Sequence, residues 1–398
     1  MELIKKNNSL KFQTFALCLY FFSIHFESWD PFQMGIDFLI TKITIVFYLI
    51  VCIPNFRKFR YLKAYTKFII PILLIFTIQT ISGFLNQTTF YSEYFSMVFF
   101  LNILMFLLML IHFQRDRIAI INALKYFAFG GIFLTLFFVF KIETDTYFDG
   151  GRLTVFGINH NMLAVNMSIV FIIIFYQLTY VKNNNKILTV IYVIFIPIII
   201  VFIASTGSRS GVLSLMMAVL LLFLLNKSKN IIRKHLFIII GGIFFIGTFL
   251  YFSNNSIVGE RLSNSSNTGD LSGRDDTWLE MLLIVNVKPF FGIGHNGFDY
   301  EVQNIFGESR SAHNVFLTIL ITSGFVGLIF FLFFLFRIIK KAKSNYKKNN
   351  DVLSVVLLVP IFAMALVAHL LSTKIEWAIF AYIITEINRN QFKLKSQL

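Results

Sequence analysis

Residues 187–204 read ILTVIYVIFIPIIIVFIA, an apolar segment without a single charged side chain. A helix of this length rises about 27 Å at about 1.5 Å per residue, close to the bilayer's hydrocarbon thickness of about 30 Å. The whole chain agrees, since 57% of its 398 residues are hydrophobic and 14% are charged. Globular chains average about 45–50% apolar and about 25% charged residues. The sequence therefore predicts an all-α polytopic membrane protein and excludes a soluble enzyme, a disordered tail and an outer-membrane barrel.

Twelve predominantly apolar segments follow one another along the chain. The first comes after Lys5, Lys6 and Lys11 and is not followed by a small-residue cleavage site, so we expect an uncleaved span. We expect residues 1–398 to form a single integral membrane domain. The predicted spans are residues 12–26, 34–54, 67–85, 93–113, 118–140, 158–180, 187–204, 209–225, 234–252, 313–336, 352–371 and 374–388.

The basic residues predict the orientation of these spans. With a cytoplasmic N-terminus, 25 of the 35 Lys and Arg residues lie in cytoplasmic segments and 8 lie in outer segments. The positive-inside rule therefore places both termini in the cytoplasm. The same distribution explains the net charge of +15 without a nucleic-acid partner, because the basic loops face an anionic inner leaflet. Cys18 and Cys52 lie in apolar segments, which indicates core residues rather than a disulfide or a metal site.

The longest predicted loop, residues 253–312, contains 60 residues and lies on the outer face. Within it, residues 274–278 read RDDTW, and the two acidic residues favour the first turn of a helix. We expect a short helix at the outer membrane face. Arg274 lies at its start, where backbone N–H groups form a natural anion site.

Several polar residues admit two interpretations when each is considered by itself. His313 at the start of the tenth span is either a functional residue or a helix cap. Arg209 at the outer end of the eighth span either extends to the membrane interface or faces a ligand, since burying an Arg costs about 2.5–3.5 kcal/mol on insertion scales. Arg274 is either a functional residue or a solvated loop residue. The Gly292-x-Gly294 pattern suggests a nucleotide loop, but the missing βαβ context favours a tight turn.

Taken together, these residues resemble the O-antigen ligase and polysaccharide polymerase family of bacterial inner-membrane proteins. One departure is His160 before Asn161, where the family often has Pro. The resemblance covers mainly residues 272–333. The matching residues are Gly273-Arg274 with Trp278, Pro289 with Gly292, Gly294 and Phe298, His313-Asn314, Gly324 with Gly327, Ser208-Arg209-Ser210-Gly211, and Arg152 to Ala164 with Gly157.

The resemblance implies transfer of a glycan from undecaprenyl diphosphate to a hydroxyl group on the outer face of the cytoplasmic membrane, without a metal or cofactor. The acceptor is another lipid-linked repeat unit in the polymerases and the lipid A core in the ligases. Arg209, Arg274 and His313 are implied to be catalytic. The resemblance also suggests substrate-binding residues, which are Arg152, Asn161, Trp278 and Asn314.

This chemistry suits the residues that carry the resemblance. A diphosphate leaving group needs charge neutralisation, and the guanidinium of Arg is planar and always protonated. The unperturbed pKa of His lies near neutrality, so His313 can accept the proton of the acceptor hydroxyl. The abundance of Phe, Ile, Lys and Asn indicates an AT-rich genome, which is common in capsule-forming hosts without lipopolysaccharide. We therefore predict a polymerase rather than a ligase. We expect it to invert the anomeric carbon and to have membrane lipids and a chain-length regulator as further partners. The alternatives are an O-antigen ligase and, from another class, a lipid-linked oligosaccharide flippase. A flippase should show internal repeats, and none is visible.

Overall fold

The computed structural model describes residues 2–31, 40–86, 93–116, 118–142, 152–181, 185–225, 274–308, 310–367 and 373–385, with the single positions 247, 250, 259 and 371. Every regular element in these residues is helical, which confirms the all-α part of the predicted fold class, whereas the large outer loop stays a prediction. Two 3-10 helices, Ile24–Phe26 and Ile53–Tyr65, accompany the α-helices. The α-helices are α1 (Glu2–Ser23), α2 (Ile40–Cys52), α3 (Thr66–Leu85), α4 (Glu93–Arg115), α5 (Ala119–Phe140), α6 (His160–Tyr180), α7 (Lys186–Ser205), α8 (Arg209–Leu224), α9 (Arg274–Val285), α10 (Gly294–Phe306), α11 (Val315–Asn349), α12 (Val352–Val356), α13 (Leu358–Ala365) and α14 (Lys374–Ile384).

Six helical segments in the described part of the chain are long and apolar enough to cross a membrane. They comprise α3, α5, α6, α7, α11 and most of α4, and they correspond to the predicted third to seventh and tenth spans. Shorter apolar helices lie at the predicted first, second, eighth and eleventh spans, and α14 has 11 residues. The predicted ninth span, residues 234–252, lies outside the described residues apart from two positions. The protein is therefore a multi-pass membrane protein, and the number twelve stays a prediction.

One end of the helix bundle gathers the C-terminal ends of α1 and α5 and the segment before α6. Trp29 packs against Phe137 and Phe156, with ring centroids 5.3 Å apart in both pairs. Lys374, at the start of α14, forms an ion pair with Glu27 beyond the end of α1. We call this the outer end of the bundle, because all five residues fall at or near the predicted outer face.

The opposite end gathers helix ends that the basic residues assign to the cytoplasm. The Tyr180 hydroxyl near the end of α6 donates to the Leu222 carbonyl in the last turn of α8. The Tyr346 hydroxyl near the end of α11 donates to the Leu225 carbonyl at 3.1 Å. The helix ends thus alternate between the two ends of the bundle as the charge distribution predicts, while which end faces the cytoplasm rests on that distribution alone.

Helix α6 forms the centre of the bundle and is buried along nearly its whole length. Small residues bring α8 close to it, since a Cβ atom on Gly211 would lie 2.4 Å from the Cβ of Ala164. The Ser168 hydroxyl donates to the Gly211 carbonyl at 3.1 Å across the same contact. This close approach places the start of α8, and with it Arg209, beside the start of α6.

The outward faces of the spans carry apolar side chains instead of polar ones. On α7, Ile187, Val190, Val193 and Ile194 are each more than half exposed. In water such a surface would favour aggregation, whereas lipid tails cover it at no cost. The high share of hydrophobic residues, which excluded a soluble protein, is therefore explained by helices that are apolar both on their buried faces and on their outward faces.

The longest helix, α11, is interrupted at Gly324, where φ is 67° and ψ is −170°. In an unbroken helix the Phe325 N–H would donate to the Ile321 carbonyl four residues earlier. Here it donates to the Pro289 carbonyl at 2.8 Å, and the Ile321 carbonyl accepts from the Ile293 N–H at 3.0 Å. The loop between α9 and α10 thus inserts into the break and satisfies the backbone groups that the break releases.

Glycine is required on both sides of this insertion. A Cβ atom on Gly324 would lie 2.2 Å from the carbonyl carbon of Phe290. On the loop side, Gly292 has a φ of 71°, and a Cβ there would lie 2.4 Å from the carbonyl carbon of Thr322. The two backbones meet so closely that neither position has room for a side chain, which gives two glycines of the sequence motif a steric role.

Helix α3 holds the inserted loop from its other side. The Ser82 hydroxyl donates to the Phe291 carbonyl at 2.8 Å. The Gln79 amide donates to the Thr322 hydroxyl at 2.9 Å, just before the break in α11. Hydrogen bonds therefore fix the loop, α3 and α11 relative to one another at the outer end of the bundle.

Candidate active site

Helix α9 turns one face toward the bundle and the other toward its surroundings. Arg274, Trp278 and Met281 follow at helical spacing on the inward face, where Met281 is fully buried. Leu279 and Leu283 lie on the opposite face and are 65% and 63% exposed. A helix therefore begins at Arg274, as predicted, and Arg274 shares its inward face, while the position of this helix at the outer membrane face stays a prediction.

The indole N–H of Trp278 donates to the Ala312 carbonyl at 2.7 Å. This hydrogen bond joins the second turn of α9 to the residue just before His313, across 34 residues of sequence. An apolar cluster beneath it supports the contact. Its members are Met281, Ile284, Val285, Ile293, Phe298, Val302, Ala312, Leu317 and Ile321.

His313 lies in a strained backbone position directly before α11. Its φ is 45°, in the left-handed region, and its backbone N–H donates to the Ser311 hydroxyl at 3.1 Å. Burial lowers the pKa of the His313 side chain below its ordinary value of 6.5, and the positive charge of Arg274 lowers it further. A hydrogen bond with the backbone of Val367 raises this pKa and so offsets part of the decrease. The structure thus brings Arg274 and His313 together.

These contacts determine the state of the His313 ring. The bond to Val367 stabilises the protonated form, so the backbone partner is the acceptor carbonyl and the ring supplies the N–H. With one N–H directed to Val367, the neutral ring carries its lone pair on the other nitrogen. A lowered pKa keeps this neutral form dominant at pH 7. The ring is therefore prepared to accept a proton.

Asn314 begins α11 as its N-cap residue. Its side-chain oxygen accepts from the backbone N–H groups of Phe316 at 3.0 Å and Leu317 at 3.3 Å. The oxygen thus has a capping role, which leaves the amide nitrogen as the group for a substrate contact. The predicted substrate-binding role of Asn314 stays a prediction.

A second group of polar residues surrounds the turn before α8. The buried Arg152 side chain donates from Nε to the Thr206 carbonyl and from Nη2 to Asn161 Oδ1, both at 3.1 Å. The Ser208 hydroxyl also donates to Asn161 Oδ1, at 2.9 Å. We call these four residues the Arg152 cluster. The next residue, Arg209, is the first residue of α8 and is partly exposed.

Helix α13 connects the two groups. Val367, just beyond its C-terminal end, holds the ring of His313, and α13 itself packs along α6 and α8. The structure thus hydrogen-bonds Arg152 to Asn161 and lets the charge of Arg274 act on the pKa of His313. Arg209 directly follows the turn that Arg152 and Asn161 contact. All of them lie at the outer end of the bundle.

Sequence reasoning missed the residues that act through their backbone. Val367 and Ala312 bind His313 and Trp278 through carbonyl groups, which any residue type carries, so no sequence signal marks them. Ser311 and Gln79 carried a weak signal, because a polar side chain beside a motif or within a span suggests a local partner. Neither was singled out.

Comparison with known proteins gives one family. Residues 193–332 match the family model described as O-antigen ligase. This segment contains Arg209, Arg274 and His313, whereas Arg152 and Asn161 precede it. No curated protein matches the chain.

The matched segment begins within α7 and ends beyond the break in α11, so it includes both the inserted loop and the Arg274–His313 pair. The matched segment also includes α8 and parts of two of the helices that are long and apolar enough to cross a membrane, α7 and α11. Residues 193–332 are thus similar to the O-antigen ligase family, and this match supports a membrane enzyme that transfers glycans, of the O-antigen ligase and polysaccharide polymerase kind.

Proposed function

We propose that the protein is a polysaccharide polymerase of the outer face of the bacterial cytoplasmic membrane. It transfers an undecaprenyl-diphosphate-linked glycan to the hydroxyl group of another lipid-linked repeat unit. The observation that carries the proposal is the hydrogen bond from Trp278 to Ala312, which ties the helix that begins at Arg274 to the residue before His313, while the charge of Arg274 lowers the pKa of His313. A cation for the leaving group and a base for the acceptor are thus assigned to neighbouring parts of one site.

The proposed reaction is a single displacement at the anomeric carbon. The acceptor oxygen forms the new glycosidic bond while the bond from the anomeric carbon to the diphosphate oxygen breaks, which inverts the configuration. The acceptor proton passes to His313, and undecaprenyl diphosphate leaves with the bonding electron pair. No metal or cofactor takes part in the proposal.

Arg274 and Arg209 are assigned to the diphosphate. A charge pair at about 4 Å contributes about 4 kcal/mol at an effective dielectric constant of about 20. Contacts that strengthen as negative charge develops on the leaving oxygen lower the barrier to reaction. The planar guanidinium can donate two parallel hydrogen bonds to phosphate oxygens, which a lysine ammonium cannot do.

Arg274 also has a consequence for the proton. Once His313 has accepted it, an imidazolium lies beside a guanidinium, and the two positive charges repel each other. This arrangement favours release of the proton to the departing diphosphate or to water, which restores the neutral base. Trp278 and Asn314 complete the proposed site, with the partly exposed indole ring available for the face of a sugar.

A ligase is the second candidate function, because the matching family is described by that activity. The two reactions share the donor and differ in the acceptor. Glycan analysis of a deletion strain separates them. Single repeat units on the carrier identify a polymerase, whereas carrier-bound polymer identifies a ligase. Loss of all repeat units from the outer face would instead indicate the flippase.

The role of His313 is tested with purified protein in nanodiscs, where donor binding and product formation are measured separately. His313→Ala and His313→Gln should each reduce turnover by about 10²–10⁴-fold, with donor binding and thermal stability unchanged. Gln retains hydrogen bonding but cannot accept a proton at neutral pH. Near-normal turnover of His313→Gln would remove the general base from the proposal.

A further inference from the structure

The Arg152 cluster is built around one acceptor atom. Asn161 Oδ1 accepts from Arg152 Nη2 at 3.1 Å and from the Ser208 hydroxyl at 2.9 Å. Arg152 also binds the Thr206 carbonyl through Nε at 3.1 Å. Its side chain is 9% exposed, and Thr206 and Ser208 are fully buried. The guanidinium of Arg152 thus bridges the start of α6 to the turn between α7 and α8.

That turn fixes the start of α8. Gly207 has a φ of 63°, which gives the turn a left-handed residue. The Ser208 hydroxyl accepts from the Gly211 N–H at 3.2 Å and so forms the N-cap of α8. Arg209 follows Ser208 directly, so the backbone position of Arg209 depends on groups that the Arg152 cluster holds.

We propose that Arg152 and Asn161 are positioning residues, which act on the donor through Arg209 rather than by touching it. The inference rests on the proposed function, since it assigns Arg209 to the donor diphosphate. The resemblance implied that both residues bind substrate. Their described hydrogen bonds point instead to the backbone and cap of the α7–α8 turn, and the burial of Arg152 limits its contact with a ligand.

The geometry of the two hydrogen bonds explains why position 152 needs arginine. Nε and Nη2 donate in different directions, to the carbonyl of Thr206 and to the side chain of Asn161. A lysine presents a single nitrogen at the end of a flexible chain and cannot hold both acceptors in a fixed relation. Arg152→Lys should therefore keep the charge and loosen the turn.

The first test is independent of the reaction. Hydrogen exchange of the backbone amides of residues 205–212 should become faster in Arg152→Lys than in wild type. It should stay unchanged in Arg209→Lys and in Arg310→Lys, a matched exposed arginine paired with Glu308. Unchanged exchange in Arg152→Lys would overturn the positioning role, whether or not the protein transfers glycan.

The second test is a double-mutant cycle on turnover. Because Arg152 acts through Arg209, Arg152→Lys should lower kcat by about tenfold to a hundredfold, and adding it to Arg209→Lys should cost little more. Independent, multiplicative losses, or a rise in donor KM with unchanged kcat, would show direct substrate binding. Absence of transfer by the wild-type protein would count against the proposed function alone, and the exchange measurement would still decide the inference.

Asn161 supplies a conservative variant for the same question. All its described side-chain hydrogen bonds use Oδ1 as an acceptor. Asn161→Asp keeps that oxygen, so it should retain the slow hydrogen exchange of residues 205–212 and most of the turnover. Asn161→Leu, of similar size, should lose both. If Asn161→Asp and Asn161→Leu were equally impaired, the amide nitrogen of Asn161 would be the functional group and the inference would be wrong.

Discussion

Replacing Gly324 by alanine tests whether the loop inserted into α11 organises the active site. The added Cβ would lie 2.2 Å from the carbonyl carbon and oxygen of Phe290, so the two backbones must separate. The substitution also places a side chain at φ 67° and ψ −170°, a region that is essentially restricted to glycine and costs about 1–3 kcal/mol. Separation breaks the hydrogen bonds from Phe325 and Val326 to the loop.

Each of those two hydrogen bonds contributes about 0.5–1.5 kcal/mol net, so the total destabilisation from strain and lost bonds is about 2–6 kcal/mol. Gly307→Ala is the matched control. Gly307 has a φ of 69°, but nothing lies within 4 Å of a Cβ built there, so only a left-handed penalty of about 1–2 kcal/mol applies. The difference between the variants isolates the contact between α11 and the loop.

The assay is thermal unfolding in nanodiscs, followed by the fluorescence of the three tryptophans. Gly324→Ala should lower Tm at least twice as much as Gly307→Ala. It should also lose glycan transfer, because the loop connects the helix of Arg274 to the helix that His313 precedes. Equal Tm shifts in the two variants, with transfer intact, would refute the reasoning about the inserted loop.

Three further predictions follow from the site and the topology. Because burial and Arg274 lower the pKa of His313 below 6.5, protonation of the ring opposes folding. Activity and thermal stability should therefore both decline only as pH falls below about 6.5. An acidic limb of the pH–activity profile with its midpoint above pH 6.5 would contradict this. Arg274→Lys should lose most transfer in a complementation assay, whereas Arg310→Lys, exposed and paired with Glu308, should retain it; wild-type glycan from Arg274→Lys would exclude bidentate diphosphate recognition. A reporter active only outside the cytoplasm should work when fused near Asn267 and stay silent near Asn345; the reverse pattern would place the site on the wrong face for its donor.

Much of the fold could be predicted because hydrophobicity acts locally. The predicted spans 67–85, 118–140 and 187–204 match α3, α5 and α7 within a residue or two, since lipid requires an apolar segment of that length. The start of a helix at Arg274 followed from its acidic neighbours in the same way. The sequence resemblance named Arg274 and His313 together, and in the structure the charge of Arg274 lowers the pKa of His313.

The remaining features depend on contacts between distant segments. Gly324 can adopt the left-handed backbone of the break in α11, but the pattern Gly324-x-x-Gly327 does not reveal that the Pro289 carbonyl accepts the N–H of Phe325. The predicted span 352–371 contains two short helices, α12 and α13, and Val367 beyond them binds His313 through its backbone. Backbone partners of this kind carry no residue signature, so sequence reasoning cannot find them.

The hydrogen bond between Trp278 and Ala312 has a practical consequence for engineering the protein. It ties Ala312, the residue before His313, to α9, so the chain between Gly307 and the site is anchored before it reaches His313. Gln303, Asn304 and Glu308 are exposed there, next to the open space beside Gly307. A peptide epitope inserted after Gly307 should therefore leave catalysis intact, and antibody labelling of whole cells would then reveal a working enzyme at its surface.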